Sequence, residues 1–250
     1  MNKTNATAQF SISKAHHAQM SMAQKIVSQD KLPKEIKLVA GVDAAYSGDL
    51  AFGAAAVLDY NSLRVLETQT TEQPAKFPYV STLLSFRELP VAVACLQKLN
   101  LKPDVILVDG HGKAHPFGFG FASHLRLALG KPTIGVAKNR LVGKPKKIGE
   151  EVFLVQDGEI IGAVVPTQRG AKPVYVSVGH LISLETAIKI VKNCTRSSRI
   201  PEPILQAHIL ATEKRKAQMA PRQIGDRRRN SVEPGTERAI RQNSKRKASK

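Results

Sequence analysis

A single carboxylate, Asp43, stands inside the run LVAGVDAAYSG (residues 38–48), among small and apolar side chains. A buried carboxylate is costly unless it is hydrogen-bonded, paired or bound to a metal. A second acid, Asp109, closes the apolar run DVILVDG (104–110) and is followed by glycine. Ligands of open sheets gather at strand ends, so two acids at neighbouring strand ends are placed to share one divalent cation. Magnesium takes hard oxygen donors and is usually held by one or two carboxylates, with waters and substrate phosphate oxygens completing its shell. A third acid, Glu88 in LLSFRELP, stands just before a helix expected to start at Pro90, where the helix dipole alone also accounts for an acid. Asp109 taken alone is equally well a turn residue. Together on a basic chain the three acids point to metal-dependent phosphoryl chemistry, with capping and turn roles as the alternative.

The charge balance fits a polyanionic partner. In 250 residues, 38 Lys and Arg face 20 Asp and Glu, a formal charge of +18. Residues 212–250 hold 13 Lys or Arg against 4 Asp or Glu, half of that excess. Their runs EKRKAQ, DRRRNS and SKRKASK offer few apolar side chains to offset the entropy of ordering, so this stretch is expected to be a disordered basic tail behind one domain spanning residues 1–211. Nonspecific phosphate contact or plain solubility would be its role. No apolar run approaches the roughly 20 residues of a membrane span, and MNKTNATAQFSISKAHH lacks a secretory pattern. Cys95 and Cys194 have neither the second cysteine nor the close histidine of a zinc or redox site. They read as reduced core fillers of a cytoplasmic protein, with a monomer as the default state.

The elements that must position the acids follow from periodicity. Residues 15–30 space Met22, Ile26 and several alanines as a helix. IKLVAGVDAAY, AFGAAAVLDY and LRVLETQTT are strand-like and separated by short turns, which suggests an antiparallel meander. Val91, Ala94, Cys95 and Leu99 share a helical face, DVILVDG reads as a strand buried on both sides, and a helix over 123–129 leads to the strand TIGVA. EVFLVQDGEIIGAVV turns at Asp157-Gly158, PVYVSVG is a strand, SLETAIKIVKNC a helix, and a last helix begins at Pro201 and includes His208. A meander followed by alternating helices and strands predicts an α/β domain, a mixed sheet flanked by helices.

The strings AGVDAAYSG, FPYVSTLLSFRELP, DVILVDGHGKAHP, GFASHLRLALGKPTIGVAKNRLVG, KPVYVSVGHLISLETAI and RIPEPILQAH, in this order, resemble the endonuclease V family of DNA repair nucleases over about residues 35–210. The resemblance implies a ribonuclease-H-like fold, an antiparallel meander continued by parallel strands. It implies a nick at the second phosphodiester bond 3′ to deoxyinosine, leaving a 3′-hydroxyl and a 5′-phosphate, with Mg2+ as cofactor and Mn2+ able to substitute. Asp43, Asp109 and Glu88 would then be the metal ligands. Lys138 would stabilise charge near the scissile phosphate, and His208 would stand near the metal water or, alternatively, in the core. Tyr79, with Pro78, would fill the gap left by the modified base, while amides around Leu84, Gly110 and Gly112 would read its edge. His115 is as well explained by a structural hydrogen bond as by substrate contact. Ser81-Thr82 and Phe117-Gly118 depart from the family pattern, which puts wedge shape and phosphate contact at issue.

Other classes fit less well. Acid-glycine loops occur in two-lobed ATP-binding proteins, but the chain has no repeat, and no Walker or dinucleotide motif is present. A non-catalytic nucleic-acid binder of the same fold has no need of clustered acids that repel phosphate. Within the family, an endoribonuclease acting on RNA containing inosine is the close alternative to one acting on DNA containing deoxyinosine.

Overall fold

The computed structural model describes residues 11–219. Helix α1 (Ile12–Ala23) leads to three antiparallel strands, β1 (Leu38–Ser47), β2 (Leu50–Asp59) and β3 (Val65–Pro74). A 3-10 turn at Ser81–Leu83 runs into α2 (Leu84–Gln97), followed by β4 (Val105–Asp109), α3 (Phe121–Leu129) and β5 (Thr133–Ala137). The second half holds β6 (Lys144–Ile148), β7 (Glu151–Gln156), β8 (Glu159–Val165), β9 (Val174–His180), α4 (Leu184–Asn193) and α5 (Glu202–Met219). The nine strands of the described residues form one sheet in the order β3-β2-β1-β4-β5-β9-β8-β7-β6. The pairs β1–β4 and β4–β5 are parallel, so the expected mixed sheet, a meander continued by parallel strands, is present.

Side-chain alternation splits the core into two layers. Val39 of β1 and Val105 and Leu107 of β4 pack with Ile204 of α5 and Ile190 of α4. Ala40, Val42, Ile106 and Val108 point the other way, against Ala92, Cys95 and Leu96 of α2 and Leu125 of α3. Helices on both faces explain why β2, rich in alanine, is buried along nearly its whole length. Cys95 and Cys194 are buried free thiols, and burial pushes their pKa values up to about 11 and about 12, as befits core fillers.

Several boundaries differ from the sequence expectation. The first helix stops at Ala23, with Ile26 reaching the core from the chain beyond it. Helix α2 begins at Leu84, not at Pro90, because the 3-10 turn has already set the helical path; Pro90 lies inside the helix on its exposed side, where it withholds an N–H from the Phe86 carbonyl. Glu88 is therefore a residue within the helix rather than a residue preceding it. Strand β6, KPKKI, was not anticipated: it is exposed at every position and has no apolar alternation to reveal it. Helix α5 continues to Met219, beyond the boundary expected at residue 211, while the rest of the expected tail, residues 220–250, lies outside the described residues. Among the described residues no helix is long and apolar enough to cross a membrane.

Candidate active site

Alternation along β1 puts Val39, Gly41 and Asp43 on the face covered by α5, and alternation along β4 puts Val105, Leu107 and Asp109 on that same face. The parallel register Val42↔Val108 sets the two acids side by side one residue later. His208 comes from α5, and its Nδ1 lies 2.7 Å from Asp43 Oδ2. One ligand atom from each of Asp43, Asp109 and His208 falls within 4.8 Å of the others. Lys138, the residue after β5, donates from Nζ to Asp109 Oδ2 at 2.5 Å. Its own carbonyl accepts from the Arg199 guanidinium at 2.6 Å, which fixes the backbone behind it.

Close approach of α5 to β1 makes this possible. A Cβ on Gly41 would lie 1.9 Å from the Pro203 carbonyl oxygen and 2.5 Å from the Ile204 nitrogen. Only glycine lets the start of α5 press onto the strand, and His208 follows a turn later.

The electrostatics are those of a site short of positive charge. Burial raises the pKa of Asp43, the neighbouring Asp109 raises it further, and His208 opposes both. Burial also holds Glu88 well above the usual carboxylate range, with Asp43 and Asp109 adding to the effect and Arg87 opposing it. Glu88 nevertheless stands outside the close group of Asp43, Asp109 and His208. It sits on α2, which covers the opposite face of the sheet. The compact donor group is two carboxylates and one imidazole, and Glu88, the third carboxylate expected as a ligand, is coupled to both acids electrostatically. Hard oxygen donors of this kind suit Mg2+ or Mn2+, and the imidazole nitrogen is the softer donor of the set.

Asp43, Asp109, Lys138 and His208 share one cleft of about 400 Å3, which also takes in Tyr46, Thr212 and Arg215. These three were not singled out from the sequence. Thr212 and Arg215 follow His208 at helical spacing, a signal hidden by placing them in a tail. Tyr46 has its phenol pKa raised by burial and then by Glu88, and carries the Arg87 guanidinium 4.7 Å from its ring centroid.

The remaining expected residues sit elsewhere. Pro78 and Tyr79 lie in the connection before α2, with Tyr79 72% exposed. Leu84 opens α2 directly after the 3-10 turn, and no side chain caps the helix there. The amides of Gly110 and Gly112 are turned inward, donating to the Val136 carbonyl (3.3 Å) and to Ser177 Oγ (2.9 Å), so they do not present themselves to a base. Packing instead explains Gly112, where a Cβ would stand 2.1 Å from the Val178 carbonyl oxygen. His115 is buried and accepts from the Phe117 N–H at 3.3 Å, while burial and the neighbouring His111 bring its pKa down to about 4.

The family profile of Endonuclease V matches residues 20–209. An endonuclease V of Thermofilum pendens is 47% identical over 206 residues, covering 81% of this chain and 88% of the relative. The crystal structure of the Streptomyces avermitilis endonuclease V is similar at a TM-score of 0.77 and 36% identity, over 84% of this chain and 95% of that one. The Ciona intestinalis endonuclease V, solved in complex with a 23mer DNA containing an inosine followed by a ribo-adenosine, is similar at 0.76 and 34% identity, over 83% and 98% of the two chains.

Proposed function

The chain belongs to the endonuclease V family of DNA repair nucleases, and we propose that it nicks a strand at the second phosphodiester bond 3′ to deoxyinosine, leaving a 3′-hydroxyl and a 5′-phosphate. The observation that carries this reading is the group Asp43, Asp109 and His208, with Lys138 bonded to it, at the sheet end of a strongly basic chain. Asp43, Asp109 and Glu88 would hold Mg2+, with Mn2+ able to substitute. When bound, the metal polarises the phosphate and lowers the pKa of the attacking water.

The chain's own groups do the rest. Asp43 fixes the His208 imidazole through Nδ1, leaving Nε2 to exchange a proton with a water at the phosphate. Lys138, held at its carbonyl by Arg199 and at Nζ by Asp109, offsets the negative charge that develops as the P–O3′ bond breaks and the 3′ oxygen takes up a proton. Exposed Tyr79, supported by Pro78, occupies the gap left by the extruded hypoxanthine, and first-turn amides near Leu84 meet the base edge. The protein acts as a cytoplasmic monomer, consistent with two buried free thiols.

A second reading is favoured by the relative whose bound strand places a ribo-adenosine after inosine: cleavage of RNA containing inosine by the same site. Matched DNA, RNA and mixed oligonucleotides with one inosine, incubated with Mg2+ or chelator and with wild type or Asp43→Ala, test both. A metal-dependent nick one nucleotide beyond the 3′ neighbour of inosine, lost in the variant, is the expected result, and the preferred sugar selects between the readings. No cut on any strand would refute both.

A further inference from the structure

Surface helices usually dock through an apolar stripe, but in α1 the fully buried side chain is an amide, Gln19. Its Nε2 donates to two carbonyls from different segments, Thr82 at 3.1 Å and Phe119 at 3.0 Å. The first belongs to the turn that follows Pro78-Tyr79 and leads into α2; the second belongs to the connection between β4 and α3. Both amide hydrogens are thus committed, while Oε1 has no partner among the described residues. One turn earlier on the same helix face, His16 repeats the pattern. Its Nε2 lies 2.9 Å from Thr82 Oγ1, and its ring stacks on Phe117 with centroids 4.1 Å apart.

Two side chains of one helix therefore each tie the same two segments together. A helix whose only fully buried group is held by hydrogen bonds contributes little apolar burial, so its contacts serve orientation more than cohesion. The segment it orients is the one carrying Tyr79, whose side chain is largely solvent-exposed. Holding an aromatic wedge at a fixed angle matters most when a paired, stacked base has to be displaced, and least when the base is already free.

We propose that His16 and Gln19 are positioning residues for lesion recognition, α1 acting as a clamp that fixes the Ser81–Leu83 turn, and with it Pro78-Tyr79, against the connection before α3. The inference rests on the reading of Tyr79 given above. His16 and Gln19 touch neither the acids nor Lys138, so the clamp acts on presentation of the base and not on the chemical step.

The test uses the full chain and four substitutions. His16→Phe keeps a ring on Phe117 but removes the nitrogen, Thr82→Val removes the hydroxyl at constant shape, Thr82→Ser retains it, and Gln19→Glu sets carboxylate oxygen against two carbonyl oxygens. Amide hydrogen exchange over residues 79–84 and 117–120 reads the clamp directly. Rates of nicking are compared on a duplex with paired inosine and on a flexible single strand containing the same inosine. His16→Phe and Thr82→Val should each accelerate exchange in both segments and lower kcat/KM on the duplex about fivefold to tenfold, the scale of one hydrogen bond. Their double variant should lose no more than either alone, since both break one contact. Thr82→Ser should behave as wild type, Gln19→Glu should lose the most, and single-strand cleavage should stay within about twofold. Equal losses on both substrates, additive losses, or unchanged exchange would overturn the proposal. A wild-type protein that cuts neither substrate would instead refute the nuclease reading, with exchange still deciding the clamp.

Discussion

Replacing Gly41 by alanine adds one methyl group, removes no polar group, and yet strikes the assembly of the site. The new Cβ would lie 1.9 Å from the Pro203 carbonyl oxygen, 2.0 Å from its carbonyl carbon and 2.5 Å from the Ile204 nitrogen. An unstrained C···O contact is about 3.3–3.6 Å, so the start of α5 must retreat by roughly 1.5 Å. All three obstructing atoms are backbone, and no side-chain rotation relieves the clash. A retreat of that size carries the 2.7 Å contact between His208 and Asp43 beyond the roughly 3.2 Å limit of a sound hydrogen bond. Overpacking a core typically destabilises by about 1–3 kcal/mol, and the absence of any flexible neighbour puts this site at the upper end. For a domain of this size that is a fall in Tm on the order of 4–12 °C. Displacement of a catalytic group by about 1 Å lowers the rate on the order of 100-fold. Thermal melts and single-turnover nicking below the melting range, run beside His208→Ala, separate the two effects. Gly41→Ala should lose at least as much rate as His208→Ala, because Thr212 and Arg215 move with the same helix. A Gly41→Ala protein with wild-type Tm and rate would refute the packing argument, and a lowered Tm with an unchanged rate would refute the link from packing to His208.

Asp43→Asn and Asp109→Asn should each abolish the rise in Tm that Mg2+ or Mn2+ gives the wild type; without metal, Asp43→Asn should melt higher than wild type, because the repulsion and burial that raise the Asp43 pKa are removed. A retained metal-dependent rise in both variants would count against these residues as ligands. Acid should weaken the fold through His115 and His124, which burial holds at about 4 against an ordinary 6.5. Between those values the unfolded chain takes up protons that the folded chain refuses, so stability is fullest above about pH 6.5 and falls as pH drops towards 4. Melts of His124→Gln against pH should show a flatter decline than wild type, and an identical slope would exclude His124 from the effect. Tyr79→Ala should leave stability unchanged to within about 0.5 kcal/mol, as expected of an exposed side chain, and lower nicking of paired inosine more than of inosine in a flexible single strand. A large loss of stability would show that Tyr79 is a packing residue.

Much of this architecture was legible in the chain because burial leaves a periodic trace. DVILVDG and LVAGVDAAYSG read as core strands, and the acids at positions 43 and 109 could be placed at neighbouring strand ends from that pattern alone. The hairpin at Asp157-Gly158 was visible because both residues take a left-handed φ, 50° and 83°, as a tight strand turn requires. What failed was local or polar. Pro90 suggested a helix start, yet a 3-10 turn seven-odd residues upstream had already begun the helix, and a proline on an exposed face does not prevent that. Strand β6 is held by pairing to β7 and not by burial, so KPKKI leaves no hydrophobic signature. Charge hid the end of α5: the run EKRK looked like the start of a disordered tail, although Thr212 and Arg215 line the cleft. The inward turn of the Gly112 amide depends on Ser177, a partner 65 positions away, which no local pattern specifies.

The contact between Asp43 and His208 spans 165 positions. Its consequence is one of timing. During synthesis β1 and β4 emerge long before α5, so a growing chain carries its acids for much of its length without the imidazole that completes them. Long-range contacts of this kind also form late in folding, because the loop they close is large. If His208 takes part in the reaction as proposed, hydrolytic competence arrives as a final act, when the start of α5 seats on Gly41, and a chain interrupted before residue 201 would hold both carboxylates without that imidazole.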